Sequence, residues 1–191
     1  LRITYVGELG WELYLPTEFT GPVFDLLITE GRKFGLRLAG YHALDSLRSE
    51  KGYRHWGHDI SPGDTPLEAG LGFAVSFKKN YDFIGRRALE AQKETGLNRR
   101  LVHFLMDHPD PILLHDEPIF RDGKLVGMTT SGSFGYTLSR SVGMGYVDTP
   151  EHANDAWLEE APYEIELGGN LFAAKASNQP FFDPSNGRVR N

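Results

Sequence analysis

Tyr5, Glu12 and Tyr53 are the side chains of this sequence whose types combine into one piece of recognition chemistry. The first two stand in "YVGELGWELYLP" (5–16) and the third opens "YRHWGHD" (53–59). A carboxylate can accept two parallel hydrogen bonds from an amidine-like edge, such as the ring N–H and amino group of a pterin or purine. Tyrosines beside it can stack on a flat ring. The competing use of Glu12 is a salt bridge to a nearby arginine, Arg48 or Arg54. Spacing alone leaves both uses open.

Other polar clusters point to less. "HWGHD" offers His55, His58 and Asp59, and an i, i+3 histidine pair can chelate a metal on a helix or tight turn. Flanking glycines and prolines argue against a helix there and no third ligand stands out, so a surface loop with no metal is expected. "GMGYVD" (143–148) lacks the third glycine and following helix of a dinucleotide loop. "DHPDPILLHDEP" (107–118) reads as a solvated connector because of its prolines. No nucleophile elbow or phosphate loop occurs, and the absence of cysteine excludes a Cys–His hydrolase.

The elements that must position Tyr5, Glu12 and Tyr53 follow from periodicity. Residues 2–6 and 11–15 read as strands joined by Gly7-Glu8-Leu9-Gly10, with Glu12 on the second strand. "TGPVFDLLITEGRKFG" (20–35) reads as a helix with Phe24, Leu27 and Ile28 on one face and Gly31 or Gly35 as its stop. "AGYHALDSLRSEKG" (39–52) predicts a second helix with Tyr41, Leu44 and Leu47 as the apolar stripe and Gly52 as the C-terminal cap. "LGFAVSFK" (71–78) alternates as a half-buried strand with Leu71, Phe73, Val75 and Phe77 in the core, and "DFIGRRALEAQKETG" (82–96) predicts a short amphipathic helix.

From Arg99 the pattern changes to short strands between turn signals. "RRLVHFLM" (99–106) comes first, then a hairpin at Asp122-Gly123, "VGMGYV" (142–147), and a second hairpin at Gly168-Gly169-Asn170. The fold class expected is α+β: a mixed αβ layer followed by a small antiparallel β-barrel or sandwich. The boundary falls between Gly96 and Leu101.

With 191 residues, 40% hydrophobic, the chain can bury a sizeable core. A formal net charge of −6 and scattered basic residues argue against a nucleic-acid partner. No apolar run approaches the ~20 residues that span a bilayer, so no membrane partner is expected. Zero cysteines fit a reducing compartment. Leu1 to Tyr5 read as strand from the first residue with no leader pattern, so a piece of something longer is expected.

"YVGELGWELYLP", "AGYHALDSLRSEKGYRHWGHDISPGDTPLEAGLGFAVSFKK" and "DFIGRRAL", in that order, resemble the folate-binding aminomethyltransferase family, the T-protein of the glycine cleavage system and its relatives. "EPIFRDGKLVGMTTSGSFGYTLSRSVGMGYV" (117–147) resembles that family's C-terminal β-domain. The forms "EKGYRHWGHDI" and "TPLEAGLGF", with the closing "DPSNGRVR", are most similar to the branch fused behind a flavoprotein: dimethylglycine dehydrogenase, sarcosine dehydrogenase and dimethylglycine oxidase.

The resemblance implies that residues 1–97 are the C-terminal portion of the folate-binding domain, half of the T-protein fold, and that 98–191 are its β-barrel domain. It implies tetrahydrofolate as cofactor, with Glu12 on the pterin and Tyr5 and Tyr53 lining the folate pocket. The implied activity is formation of 5,10-methylenetetrahydrofolate from an iminium, itself made by oxidation of dimethylglycine or sarcosine on FAD held in the N-terminal region. The implied partners are folate, a small methylated amine and that N-terminal half. Where the family pattern has an arginine for the folate tail, this sequence has Leu44. The family's catalytic aspartate belongs before Leu1, so no residue here is catalytic and the segment alone is expected to be inactive. The alternatives are a stand-alone aminomethyltransferase or folate-dependent demethylase, or a non-catalytic regulatory subunit of the same fold.

Overall fold

The computed structural model describes residues 1–150 and 153–190. Helices and irregular segments fill the first 98 residues, and a closed antiparallel barrel follows.

Helix α1 spans Thr17–Gly31, α2 Tyr41–Glu50 and α3 Arg86–Thr95. α1 starts earlier than the sequence suggests, which places Pro22 inside it, and it runs into a single 3₁₀ turn that Gly35 closes at φ 74°. α2 ends as expected at Gly52, φ 68°. There the Tyr53 N–H reaches back to the Arg48 carbonyl and the Gly52 N–H to that of Ser49, at 2.9 and 3.0 Å. This paired closure needs a left-handed residue between the helix and the segment that leaves it, which glycine adopts without strain.

Strands β1 (Arg99–Met106), β2 (Pro118–Arg121), β3 (Lys124–Gly135), β4 (Arg140–Asp148), β5 (Tyr163–Leu167) and β6 (Asn170–Ser177) close in the order β1-β4-β3-β2-β5-β6. Both expected hairpin turns form, with positive φ at Asp122, Gly123, Gly168 and Gly169. Two short helices, α4 (Asp155–Glu160) and α5 (Gly187–Arg190), complete the chain. The glycines of "GMGYVD" lie in β4, where a Cβ on Gly145 would come within 2.5 Å of the Met128 carbonyl of β3. They serve close strand approach, so the sequence argument against a dinucleotide loop has a structural reason.

The hydrophobic core is the barrel interior. Val102, Phe104 and Met106 of β1 meet Leu113, Ile119, Val147, Leu158, Tyr163 and Ile165 there, each at most 1% exposed. Among the described residues the first 98 contribute one buried hydrophobic residue, Ala69. Phe24 and Leu27 of α1 are exposed, and α1 packs on little beyond its own 3₁₀ continuation.

Three expectations for this half are corrected. The strands expected at 2–6 and 11–15 do not form: Leu1 and Glu12 exchange a single pair of backbone hydrogen bonds, 2.8 and 2.9 Å, without extending into a ladder. Residues 71–78 are not a strand either. Gly72–Ala74 form a 3₁₀ turn and Phe73 is 87% exposed, so the four alternating apolar residues are not a core face. A strand needs a neighbour for its backbone groups, and with none among the described residues the segment uses local i→i+3 bonds instead. Lastly, α2 does not bury its apolar stripe. Tyr41 is exposed while Ser46, Arg48, Ser49 and Glu50 are buried. The helix leans on the barrel through its polar face.

Candidate functional site

That polar face is organised around Asp59, which is fully buried. Its carboxylate accepts from Arg48 Nη1 at 2.9 Å, from the His55 N–H at 2.8 Å and from the Thr130 hydroxyl. Arg48 also donates to Asp45 of its own helix at 2.6 Å and to Ser131 Oγ at 3.0 Å. Thr130 and Ser131 reach these partners because β3 carries a bulge between Thr129 and Ser131 opposite β4. The extra residue turns its side chain out of the ladder. Two residues further along α2, Glu50 accepts from the Thr137 and Leu138 N–H groups at 2.8 and 3.0 Å, holding the β3–β4 turn.

"HWGHD" therefore has a different role from the one its histidines suggest. The His55 and His58 rings lie 4.7 Å apart, tilted by 31°, and among the described residues no cluster of metal-ligand type appears. The acid beside them is the structural centre. Sequence reasoning missed Asp59 because its partners lie 11 and 71 residues away.

The segment leaving α2 forms one wall of a cavity of about 700 Å³, larger than the cavity of about 480 Å³ beside Tyr163. Tyr5, Lys51, Tyr53, Arg54, Arg100 and His103 line it, and the closing segment from Asn178 to Asn186 covers another side. His103 belongs to β1 but alternates with the core residues Val102 and Phe104, so it projects to the outer face of the barrel.

The structure brings Tyr5 and Tyr53 together: their rings stack 6.1 Å apart at 18°. Tyr5 donates its hydroxyl to the Arg54 carbonyl at 2.9 Å. Burial raises both phenol pKa values, so the walls are neutral aromatic faces. Glu12 stands outside this lining. It is half-buried on an extended segment rather than a strand, and its carboxylate accepts from the Tyr14 hydroxyl at 2.5 Å. The salt-bridge alternative is not what forms, since Arg48 is held by Asp45 and Asp59 and Arg54 by backbone carbonyls.

Charge in the cavity is matched at Lys51, whose Nζ reaches Asp183 Oδ2 at 2.9 Å, and at Arg100, 2.7 Å from Asp155. The Lys51 contact holds the Asp183 carboxyl below the usual carboxylate range. Burial pulls the His103 pKa down to about 3, with the Arg54 charge adding to the shift, so the imidazole is neutral.

Comparisons with known proteins agree with this architecture. The sequence pattern described as "GCVT N-terminal domain" matches residues 1–79, and "Glycine cleavage T-protein C-terminal barrel domain" matches residues 99–183. The chain is 46% identical over its full length to 4-methylaminobutanoate oxidase (formaldehyde-forming) of Paenarthrobacter nicotinovorans, of which it covers 22%. It is 41% identical over its full length to the mitochondrial sarcosine dehydrogenase of Homo sapiens, covering 21%. It is also 41% identical, over 94% of its length, to the mitochondrial pyruvate dehydrogenase phosphatase regulatory subunit of Mus musculus, covering 22%. Among solved structures, glycine cleavage system aminomethyltransferase T from Bartonella henselae superposes with a TM-score of 0.83 at 30% identity, covering 96% of this chain and 49% of that one. The chain thus spans about a fifth of the length of the curated relatives it matches.

Proposed function

The chain belongs to the glycine cleavage T-protein family, matching its C-terminal half, and from this premise we propose that it holds tetrahydrofolate in the cavity walled by Tyr5 and Tyr53. The observation that carries the reading is the stacked tyrosine pair beside a cavity of about 700 Å³, within the range of small-molecule sites. Neutral, half-buried phenol rings fit a flat heterocycle without adding charge.

Bound tetrahydrofolate supplies a nucleophilic nitrogen that takes up a one-carbon unit at the oxidation level of formaldehyde. The roles of this chain are to bind and orient. Tyr5 and Tyr53 form the wall, and Glu12 is kept as the pterin contact that the family resemblance assigns to it. No residue here is given a catalytic role. The proposed enzyme forms 5,10-methylenetetrahydrofolate from an iminium made by oxidation of a methylated glycine, with FAD and the amine handled outside this chain. Support comes from the amine-oxidising relatives matched over its full length. In this reading residues 1–97 belong to the folate domain and 98–191 to the barrel domain. The compartment is a bacterial cytoplasm or mitochondrial matrix; no helix among the described residues is long and apolar enough to cross a membrane.

Similarity to a phosphatase regulatory subunit favours one other reading, a scaffold with the same fold and no catalysis. Titration of the full-length protein with tetrahydrofolate separates the two. The folate reading expects saturable binding that Tyr53→Ala weakens, and a scaffold shows none.

A further inference from the structure

Arg54 differs from the other arginines around the site. Arg48, Arg99 and Arg100 each stand within 3 Å of a carboxylate. Arg54 instead donates Nε to the Ala69 carbonyl at 3.1 Å and Nη1 to the Gly52 carbonyl at 2.7 Å. Both acceptors are neutral, and among the described residues no carboxylate lies within ion-pair distance of this guanidinium. Asp59, the acid whose charge bears on it most, is already occupied by Arg48, His55 and Thr130.

Two backbone bonds fix the guanidinium plane and leave Nη2 over. Among the described residues Nη2 has no acceptor. It lies against Gly70, where a Cβ would come within 2.8 Å of it, and Gly70 lines the same cavity. A side chain at Gly70 would therefore crowd the one edge of Arg54 that the protein leaves unbonded. His103 gives an independent sign. It is 3% exposed, it lines this cavity, and its Nε2 is buried with no partner. A half-buried cation with no counter-charge among the described residues has an edge to offer a ligand, and a buried imidazole nitrogen without a partner is costly unless a ligand completes it. Burial lowers the Arg54 pKa, as expected for a cation removed from water without a matching anion.

We propose that the Nη2 edge of Arg54, with His103 lining the same cavity, is an oxyanion subsite that takes a carboxylate of the ligand bound between Tyr5, Tyr53 and the barrel. A planar guanidinium fixed on two sides suits a planar carboxylate. Lys51 and Arg100 do not compete for it, because Asp183 and Asp155 already hold them. Tyr5 ties the aromatic wall to the subsite, since its hydroxyl is bonded to the Arg54 carbonyl. This assignment rests on the folate reading only for the identity of the ligand; the unmatched charge stands without it.

The test compares four probes on the full-length protein, wild type and Arg54→Gln, by calorimetry: tetrahydrofolate, tetrahydropteroate (the pterin part without the glutamate carboxylates), p-aminobenzoylglutamate (the tail alone) and inorganic phosphate. Wild type is expected to bind tetrahydrofolate ~10–100-fold more tightly than tetrahydropteroate, the range of one charge-assisted contact. Arg54→Gln should remove that difference and leave tetrahydropteroate binding within ~2-fold, which also shows that the variant folds. Arg54→Lys should restore part of it. Equal weakening of both pterins by Arg54→Gln would overturn the subsite while keeping the folate reading, because Arg54 would then act only by positioning Tyr5. If tetrahydropteroate fails to bind but p-aminobenzoylglutamate binds in an Arg54-dependent way, the pterin reading falls and the subsite stands. Phosphate binding that depends on Arg54 and exceeds that of the tail makes the anion a phosphate and overturns the carboxylate assignment. Failure of all four probes with wild type overturns the proposal outright.

Discussion

Arg48 Nη1 stands 2.9 Å from Asp59 Oδ2, with 4% of one side chain and none of the other open to solvent. This pair is the joint between the helical segment and the barrel, since Arg48 continues to Ser131 and Asp59 to Thr130 across the β3 bulge.

Removing one partner of such a pair strands the other charge in a dry site. Asp59→Ala should destabilise the protein by about 3–5 kcal/mol, and the double variant Arg48→Met/Asp59→Ala by less than Asp59→Ala alone. Urea unfolding midpoints read both. A loss in the double variant equal to the sum of the losses in Asp59→Ala and Arg48→Met would mean that the charges are not coupled.

Gly52 combines two constraints that Gly35 separates. Both have φ near +70°, but a Cβ on Gly52 would overlap the His103 ring, whereas nothing lies within 4 Å of a Cβ on Gly35. Gly35→Ala should cost about 1 kcal/mol for backbone conformation alone. Gly52→Ala should cost clearly more, by about 1–3 kcal/mol of overpacking. Thermal unfolding of the two variants makes the comparison.

His103 should make stability depend on pH. The folded state holds its pKa at about 3, against 6.5 in the unfolded chain. The unfolded state therefore binds more protons between those values. This contribution is complete above ~6.5 and is lost as pH falls toward about 3, on the order of a few kcal/mol in all. Asp183, held below its usual range by Lys51, acts in the same direction. In His103→Gln the fall in urea midpoint between pH 7 and pH 5 should be smaller than in wild type. An identical fall would show that His103 is not the titrating group.

Glu12 carries the remaining prediction for the ligand. Its carboxylate has a tyrosine hydroxyl as partner and, among the described residues, no guanidinium, so it keeps acceptor capacity. Glu12→Gln should weaken tetrahydrofolate binding to the full-length protein by about 1.5–3 kcal/mol, as for a lost charge-assisted contact. Unchanged affinity in that titration removes Glu12 from the site.

The barrel was legible because its signals are local. Asp122-Gly123 and Gly168-Gly169 specify turns within two residues, and each strand between them brings its partner with it. The same reasoning failed at 2–6, 11–15 and 71–78. Alternation there is real, but a strand is a property of two chains side by side, and no partner edge meets these segments among the described residues. At α2 the caps were readable and the buried face was not. Hydrophobic periodicity pointed to Tyr41, Leu44 and Leu47, while the barrel receives Arg48 and Glu50.

By itself the sequence determined which barrel segments turn and where α2 and α3 stop. Those outcomes depend on neighbours a few residues apart. Only the tertiary structure decided that Tyr5 and Tyr53 share a wall while Glu12 stands outside it, that Asp59 is sealed against Arg48, and that Arg54 meets no acid among the described residues. Each of those facts is a distance between residues far apart in the chain. Whether a charge is paired, buried or free is fixed by what folding brings beside it.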